Sequence, residues 1–346
     1  MLIDNIEIEI IYDFYSEILD NFRNIRVYLP PSYSLEDDKH YPVLYIQDGQ
    51  NIFDPKESYS GRAWDLHKTA DYMIKEKLIE EIIIIAVDHM EEERLNEYAH
   101  QDGFYKDKKI KARGAEYEEF FVKELMPFIE DRYRLKDGAQ NRAIMGSSMG
   151  GLISFNIALR RKKLFSKIAA MSPSLWWGSS SALDKLKTYN YSDLNAKIWF
   201  DTGEAEGDFM SFTEELIAEL KNMKKMLGTD LFYYQVPDAG HSEAAWAARV
   251  HLPLLYFFGD IGELEDIKLF GSKNIKIDGR SRRINPVLNF DSFFKATALE
   301  GKFKTLNPDL LQVNKFGSLK AKKTGTAKIK FSFSGYQAYK EIKISR

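Results

Sequence analysis

The chain of 346 residues contains no cysteine. Disulfides, thiolate metal sites and a cysteine nucleophile are therefore excluded, while the redox compartment stays open. No apolar stretch approaches a membrane span, and Ile82–Val87 has only the length of a buried strand. Net charge is nearly absent too: 49 basic against 52 acidic residues leave −3. Read as well mixed, that balance gives no reason to expect nucleic acid or an anionic membrane as partner. The amino terminus, from Met1 to Ile10, is acidic and alternating, unlike a secretory leader. The expectation is a cytoplasmic chain as it stands, or an exported one if a leader has been trimmed. With 44% hydrophobic and 14% aromatic residues the chain can bury a sizeable core, and its length suits two domains or one large one.

What is present centres on Arg142–Leu159. A short apolar run, Ala143–Met145, is of strand type. It turns through Gly146-Ser-Ser-Met-Gly-Gly151 and continues with Leu152, Phe155 and Leu159 at helical spacing. Strand, G-x-S-x-G and helix in that order describe a nucleophile elbow, with Ser148 as its exposed serine. Glycine is needed at 146 and 150 because strand and helix pass too close for a Cβ. A glycine-rich turn carrying a serine by chance is the plain alternative.

Around this stretch the chain alternates strands with helices. Strands are expected at Ile6–Ile10, Ile25–Leu29, Tyr41–Ile46, Ile82–Val87, Lys167–Met171, Lys197–Asp201 and Leu231–Val236. Helices are expected at Glu118–Tyr133, Phe212–Leu227 and Trp246–Phe258. This order implies an α/β fold, a mainly parallel sheet covered by helices. Beyond Gly262 the texture changes to period-two alternation punctuated by glycines, which reads as a small all-β sandwich. The expected domains are 1–262 and 268–346. No long internal repeat and no low-complexity linker is evident.

A serine hydroxyl needs a base to take its proton. Of the histidines 40, 67, 89, 100, 241 and 251, only His241 sits in a turn straight after a late strand. His251 falls in a helical pattern, and His89 follows a strand end where a surface role is as natural as substrate contact. The third member should be a carboxylate after the strand ending near Asp201. That loop offers Asp201, Glu204, Glu206 and Asp208; Glu206 is preferred, with Asp208 and Glu204 behind it, and Asp201 suits burial. The order serine, acid, histidine is that of α/β-hydrolases. Oxyanion donors fall on the backbone N–H groups of Met149 and Gln50. The cluster Asp88–Glu93 lacks the spacing of a two-ligand helical face, so no metal is expected. The basic tract Lys106–Arg113 reads as a surface loop, or at most as an attractor for an anionic substrate.

Several stretches together are more specific than the elbow. They are Arg26–Tyr33, Tyr41–Gly49, Gly61–Trp64, Glu124–Ile129, Gly146–Gly151, Ser172–Trp177 and Gly240-His241. In these residues the chain resembles the esterase family of α/β-hydrolases that includes siderophore esterases, feruloyl and acetylxylan esterases and S-formylglutathione hydrolase. The resemblance implies Ser148 as nucleophile, His241 as base, and amide donors at Gln50 and Met149. It also implies an acid three positions after a glycine, as Glu206 follows Gly203. Ser172–Trp177 most resembles the siderophore-esterase side. There Trp176 or Trp177 would form an aromatic wall or serve the core, and Trp64 and Arg94 would stand in loops turned toward the substrate. No cofactor is implied. The tail resembles a bacterial Ig-like domain of the second type in Leu311–Ala321 and Gly325–Phe331. Such a module would bind a surface or carbohydrate, cover part of the hydrolase, or act as a passive spacer. The expected function is a serine carboxylic-ester hydrolase acting on a siderophore-type or other small acyl ester. The alternatives are a feruloyl or acetyl esterase on carbohydrate, or a non-catalytic binding module.

Overall fold

A computed structural model describes residues 7–178, 194–207, 213–227, 231–280 and 282–346. Among the described residues, ten strands run from Glu7 to Val236: β1 (Glu7–Ser16), β2 (Asn21–Leu29), β3 (Val43–Gln47), β4 (Ile83–Val87), β5 (Gly103–Tyr105), β6 (Lys108–Ile110), β7 (Arg142–Ser147), β8 (Lys167–Met171), β9 (Lys197–Gly203) and β10 (Leu231–Val236). All but the small hairpin β5–β6 join one eight-stranded sheet in the order β1-β2-β4-β3-β7-β8-β9-β10. β1, β2 and β4 pair antiparallel, whereas β4, β3, β7, β8 and β9 run parallel. β3 and β4 are buried at every position. That is why their sequences are unbroken apolar runs: a parallel strand covered on both faces has no position to give to water.

The chain divides into two compact units. The first holds residues up to Asp201, then 226–231 and 241–260. Its helices include Leu66–Lys75 and Ser148–Arg160. The helix expected over 118–133 starts earlier, at Gly114, and passes through a wider π-type turn at Phe121–Leu125. The apolar segment expected as one helix over 246–258 is two, Glu243–Ala247 and His251–Phe258. The turn between them carries Arg249, whose guanidinium forms a buried ion pair with Asp201 at 2.8 Å.

The second unit contains the tail, with β11 (Leu264–Phe270), β12 (Asn274–Lys276), β13 (Arg282–Arg283), β14 (Asn285–Phe290), β15 (Lys295–Thr297), β16 (Lys302–Thr305), β17 (Leu311–Val313), β18 (Ser318–Ala321), β19 (Gly325–Phe333) and β20 (Tyr336–Ser345). They form sheets β11-β14-β15, β12-β20-β19-β16 and β13-β18-β17. Ile275, Ile284, Leu311, Leu319, Ile329 and Ile342 lie in their common core. The tail, residues 261–346, is one part of this unit. Residues 202–225 and 232–240 belong with it, and β10 shows the reason. The backbone N–H of Gln235 donates to Thr297 Oγ1 at 2.9 Å, and its carbonyl accepts from Asn285 Nδ2 at 2.7 Å. Phe232 meets Phe294 edge-on at 5.0 Å. β10 is the last strand of its sheet, and a bare last strand is a template for unwanted pairing; tail side chains occupy part of its ladder.

Thr297→Val keeps the shape but removes the acceptor for the Gln235 amide. The expected cost is about 1–3 kcal/mol, the penalty for an unpaired buried donor, read as a lower urea midpoint at unchanged slope.

Candidate active site

The elbow follows from steric necessity. β7 ends at Ser147 and the next residue already opens the helix Ser148–Arg160. A Cβ at Gly146 would lie 2.3 Å from the Gly150 carbonyl oxygen, so only glycine permits the crossing. Ser148 takes φ = 55°, left-handed and strained for a side-chain residue. The strain lifts its hydroxyl out of the sheet, and Ser148 remains half-buried. Its Oγ lies 3.0 Å from His241 Nε2 and 3.3 Å from Ser174 Oγ.

His241 is exposed and its ring meets Trp246 edge-on at 4.9 Å between centroids. Trp246 donates its indole N–H to Ser172 Oγ at 3.1 Å. The same hydroxyl accepts from Arg249 Nη2 at 2.7 Å. Arg249 is in turn bound to Asp201 Oδ1, whose second oxygen accepts from Trp199 Nε1 at 2.8 Å. Asp201 is 0% exposed. The strand-end acid closest to the sheet thus anchors the mount on which Ser172, Trp246 and through them Ser174 and His241 are carried. Ser172 has φ = 42°, and Ser174 N–H donates to the Ser148 carbonyl at 3.0 Å.

Gln50 lies in a single helical turn, Gly49–Asn51, directly after β3 and Asp48. Its carboxamide exchanges two bonds with the His89 backbone, 2.8 Å to the carbonyl and 3.0 Å from the amide. That leaves Gln50 its own backbone N–H to offer. Met149 is the second residue of its helix, where the N–H has no intrahelical acceptor. The turn is clamped further. Arg94 binds Asp48 through two bonds of 2.6 and 2.9 Å, and a Cβ at Gly49 would fall 2.4 Å from Asp88 Oδ1. Burial would raise the Asp48 carboxyl, but the Arg94 guanidinium outweighs it and holds it below its ordinary value. Asp88, expected in a solvated acidic loop, is instead buried and paired with Arg26 at 2.7 Å. Burial lowers the basicity of His89, which favours the neutral ring.

Among the candidate acids, Asp208 lies outside the described residues. Glu206 and Glu204 belong to the second unit, and Ser148 and His241 to the first. Glu206 Oε1 accepts from Gly203 N–H at 2.6 Å, and Ala205 N–H donates to the Ala239 carbonyl at 2.9 Å. The Glu206 loop is thus fastened to the segment that leads into His241.

The residues expected to face substrate divide differently. Trp177 is 2% exposed and donates its indole N–H to the Gln101 carbonyl at 3.0 Å, so it packs in the core. Trp64, 3% exposed, packs on Trp246 at 5.9 Å and supports the ring behind His241 rather than forming an open wall. Arg94 is engaged with Asp48. Trp176, half-buried and 5.8 Å from Trp177, is the one of the four whose ring is neither in the core nor in an ion pair. Ser174 and Trp246 escaped the sequence reading. Position could have found Ser174: it follows the carboxyl end of β8, and that end of a parallel sheet is where α/β folds gather their site.

Residues 16–253 match the family described as "Putative esterase". The chain belongs to this esterase family. It is 26% identical over 211 residues to the uncharacterized protein YbbA of Bacillus subtilis, covering 59% of this chain and 78% of that one. In structure it is similar to the enterobactin esterase FES from Shigella flexneri, with TM-score 0.59 and 20% identity over 73% of this chain and 59% of that one. A ferulic acid esterase gives TM-score 0.55 and 22% identity over 73% and 98%. At such identities these two structures speak for the fold, an α/β-hydrolase sheet followed here by a β domain.

Two outcomes follow from this geometry. If Ser148 gives its proton to His241, the Ser174 hydroxyl is the donor in the serine–serine contact. Ser174→Ala should then slow fluorophosphonate labelling of Ser148 by roughly three- to tenfold, the worth of one ordinary hydrogen bond, without lowering the melting temperature. Asp48→Asn should cost stability at neutral pH. Asp48 has a depressed folded-state pKa, so its contribution is complete above about pH 4, its unfolded value, and fades as pH falls through the folded one. The gap between wild type and Asp48→Asn in urea midpoint should therefore narrow below pH 4.

Proposed function

We propose that this esterase hydrolyses small carboxylic esters through an acyl-enzyme on Ser148. The observation that carries the proposal is the 3.0 Å contact of Ser148 Oγ with His241 Nε2 at a strained strand-to-helix turn. His241 takes the Ser148 proton as Oγ attacks the ester carbonyl, giving a tetrahedral oxyanion and an imidazolium. The N–H groups of Gln50 and Met149 hold the oxyanion, each worth about 3 kcal/mol in such sites. The C–O bond of the alcohol then breaks, and the alcohol leaves with the proton from His241. Water repeats the sequence on the acyl-enzyme and releases the acid. As the third member of the triad we propose Glu206, which follows Gly203 by three positions as the family's acid does.

For the substrate we propose a compact ester of the siderophore type. FES is an enterobactin esterase, and the stretch Ser172–Trp177, which sets Ser174 on the nucleophile, most resembles the siderophore-esterase side of the family. A feruloyl ester is the second reading, favoured by the likeness to the ferulic acid esterase over 98% of its chain. Trp176 is the aromatic surface either acyl group would meet.

Ser148→Ala should lower kcat on p-nitrophenyl acetate by about 10⁴-fold or more; wild-type turnover in that variant would refute the nucleophile. Glu206→Gln should lose about 10⁴-fold, in line with the loss of a triad acid, and an unchanged rate would move the role to Glu204 or Asp208. A panel of methyl ferulate and a catecholate trilactone decides the substrate: preference for the trilactone supports the siderophore reading, and preference for the ferulate overturns it.

A further inference from the structure

The near-neutral total conceals two opposite parts. Residues 261–346 carry 18 Lys and Arg against 8 Asp and Glu, a net +10, while residues 1–260 carry 31 against 44, a net −13. Charge is therefore segregated along the chain, contrary to the even mixture read from the total. The structure gathers much of the tail's excess on one surface. In β19 the residues Ala327, Ile329 and Phe331 point into the core, which turns Lys328 and Lys330 to the other face. Register carries the pattern sideways: Lys304 lies opposite Lys330, and Lys302 opposite Ser332. Across β20, Lys330 faces Tyr339 and Thr326 faces Lys343, and β12 adds Lys276 beyond Ser345. The outer face of β12-β20-β19-β16 thus presents six lysines and one acid, Glu341. None of the six forms an ion pair among the described residues.

Tyr339 stands in the middle of this face, 48% exposed. The Lys328 and Lys330 ammonium groups lie 4.9 and 5.8 Å from its ring centroid, and its hydroxyl donates to Gln337 Oε1 at 2.9 Å. The remaining outward positions are hydroxyls and amides: Thr326, Ser332, Gln337, Asn274 and Ser345. At one end the face runs into an open concavity of about 600 Å³ bordered by Lys302, Ser332, Tyr336 and Gln337, with one carboxylate, Glu300.

We infer that this sheet face is a docking surface for an acidic polysaccharide, a chain of sugar rings bearing carboxylates. The lysines match its charge, the hydroxyls and amides match its sugar hydroxyls, and the Tyr339 ring offers an apolar plate for the C–H face of one sugar. Unpaired like charges on one face repel each other, so an anionic partner relieves a cost that the free protein bears. A single-stranded nucleic acid is less well matched, because it calls for several stacking rings and this face has one. An anionic membrane is less well matched too, because the outward positions between the lysines are polar, with no apolar row to enter the lipid. The inference is independent of the identity of the ester.

The test uses the full chain in affinity electrophoresis with polygalacturonate, dextran, duplex DNA and phosphatidylglycerol vesicles at about 50 mM salt, where surface charges act over more than 10 Å. Polygalacturonate should retard the protein and dextran should not, and 0.5 M salt should abolish the effect. The double substitution Lys328→Glu and Lys330→Glu should weaken binding at least tenfold, its neutral counterpart with Gln should weaken it less, and Tyr339→Ala should weaken it about threefold. All three should keep the wild-type melting temperature and turnover of p-nitrophenyl acetate. Absence of retardation, equal binding to dextran, or tighter binding to DNA or vesicles would overturn the inference. So would unchanged binding in both lysine variants. Salt-sensitive self-association of the wild type without polygalacturonate binding would instead assign the face to the acidic part of a second copy.

Discussion

The backbone crossing at Gly146 and Gly150 is the constraint from which the rest of the site follows. It leaves no room for a side chain, forces the next turn into a left-handed residue, and that residue is the serine. Once Ser148 is lifted clear of the sheet, other groups must meet it from the neighbouring strand ends. Loop Asp48–Asn51 comes from β3 and Ser174 from β8, while His241 arrives after β10. The first is held by an ion pair and the third meets a tryptophan edge, while the second is tied through its own N–H to the Ser148 carbonyl. The active geometry is therefore over-determined, which is what allows a strained serine to persist.

Burial supports this arrangement in an uneven way. Asp201 and Asp48 are both inside the protein, and each is paired with an arginine from a different segment, Arg249 and Arg94. A buried carboxylate with one partner removed is costly, by about 3–5 kcal/mol. The two pairs are consequently poor places for change, although neither carboxylate touches Ser148. They fix the directions from which donors and rings approach it, so that catalysis and folding draw on the same contacts.

Much of this was legible in the sequence. The elbow is written in three glycines and a period change, and the parallel strands in apolar runs such as Ile82–Val87. The assignment of His241 to a position after the last strand needed only chain order. What resisted was any property that depends on which side chain finds which. Trp177, which the sequence leaves open between wall and core, is buried, and Trp64 packs on Trp246. Arg94 looks available until Asp48 is seen beneath it. Ser174 is inconspicuous because a serine beside a proline has no period and no motif. The segregation of charge was legible throughout and was missed by a sum: a total near zero says nothing of where the signs lie, and a strand with lysine at every second position says a good deal.

The capping of β10 has a consequence for how this chain can be divided or shuffled. Severing it after residue 260 would leave the Gln235 amide and carbonyl without the partners that now occupy them, on an open ladder edge of the kind that recruits a second copy. The tail is thus a chaperoning flank, built into the polypeptide, for the strand that delivers the histidine. A lineage that exchanged this module for another would have to supply a replacement cover at the same time, so recombination at that seam is constrained by an edge hydrogen bond rather than by the chemistry of the serine.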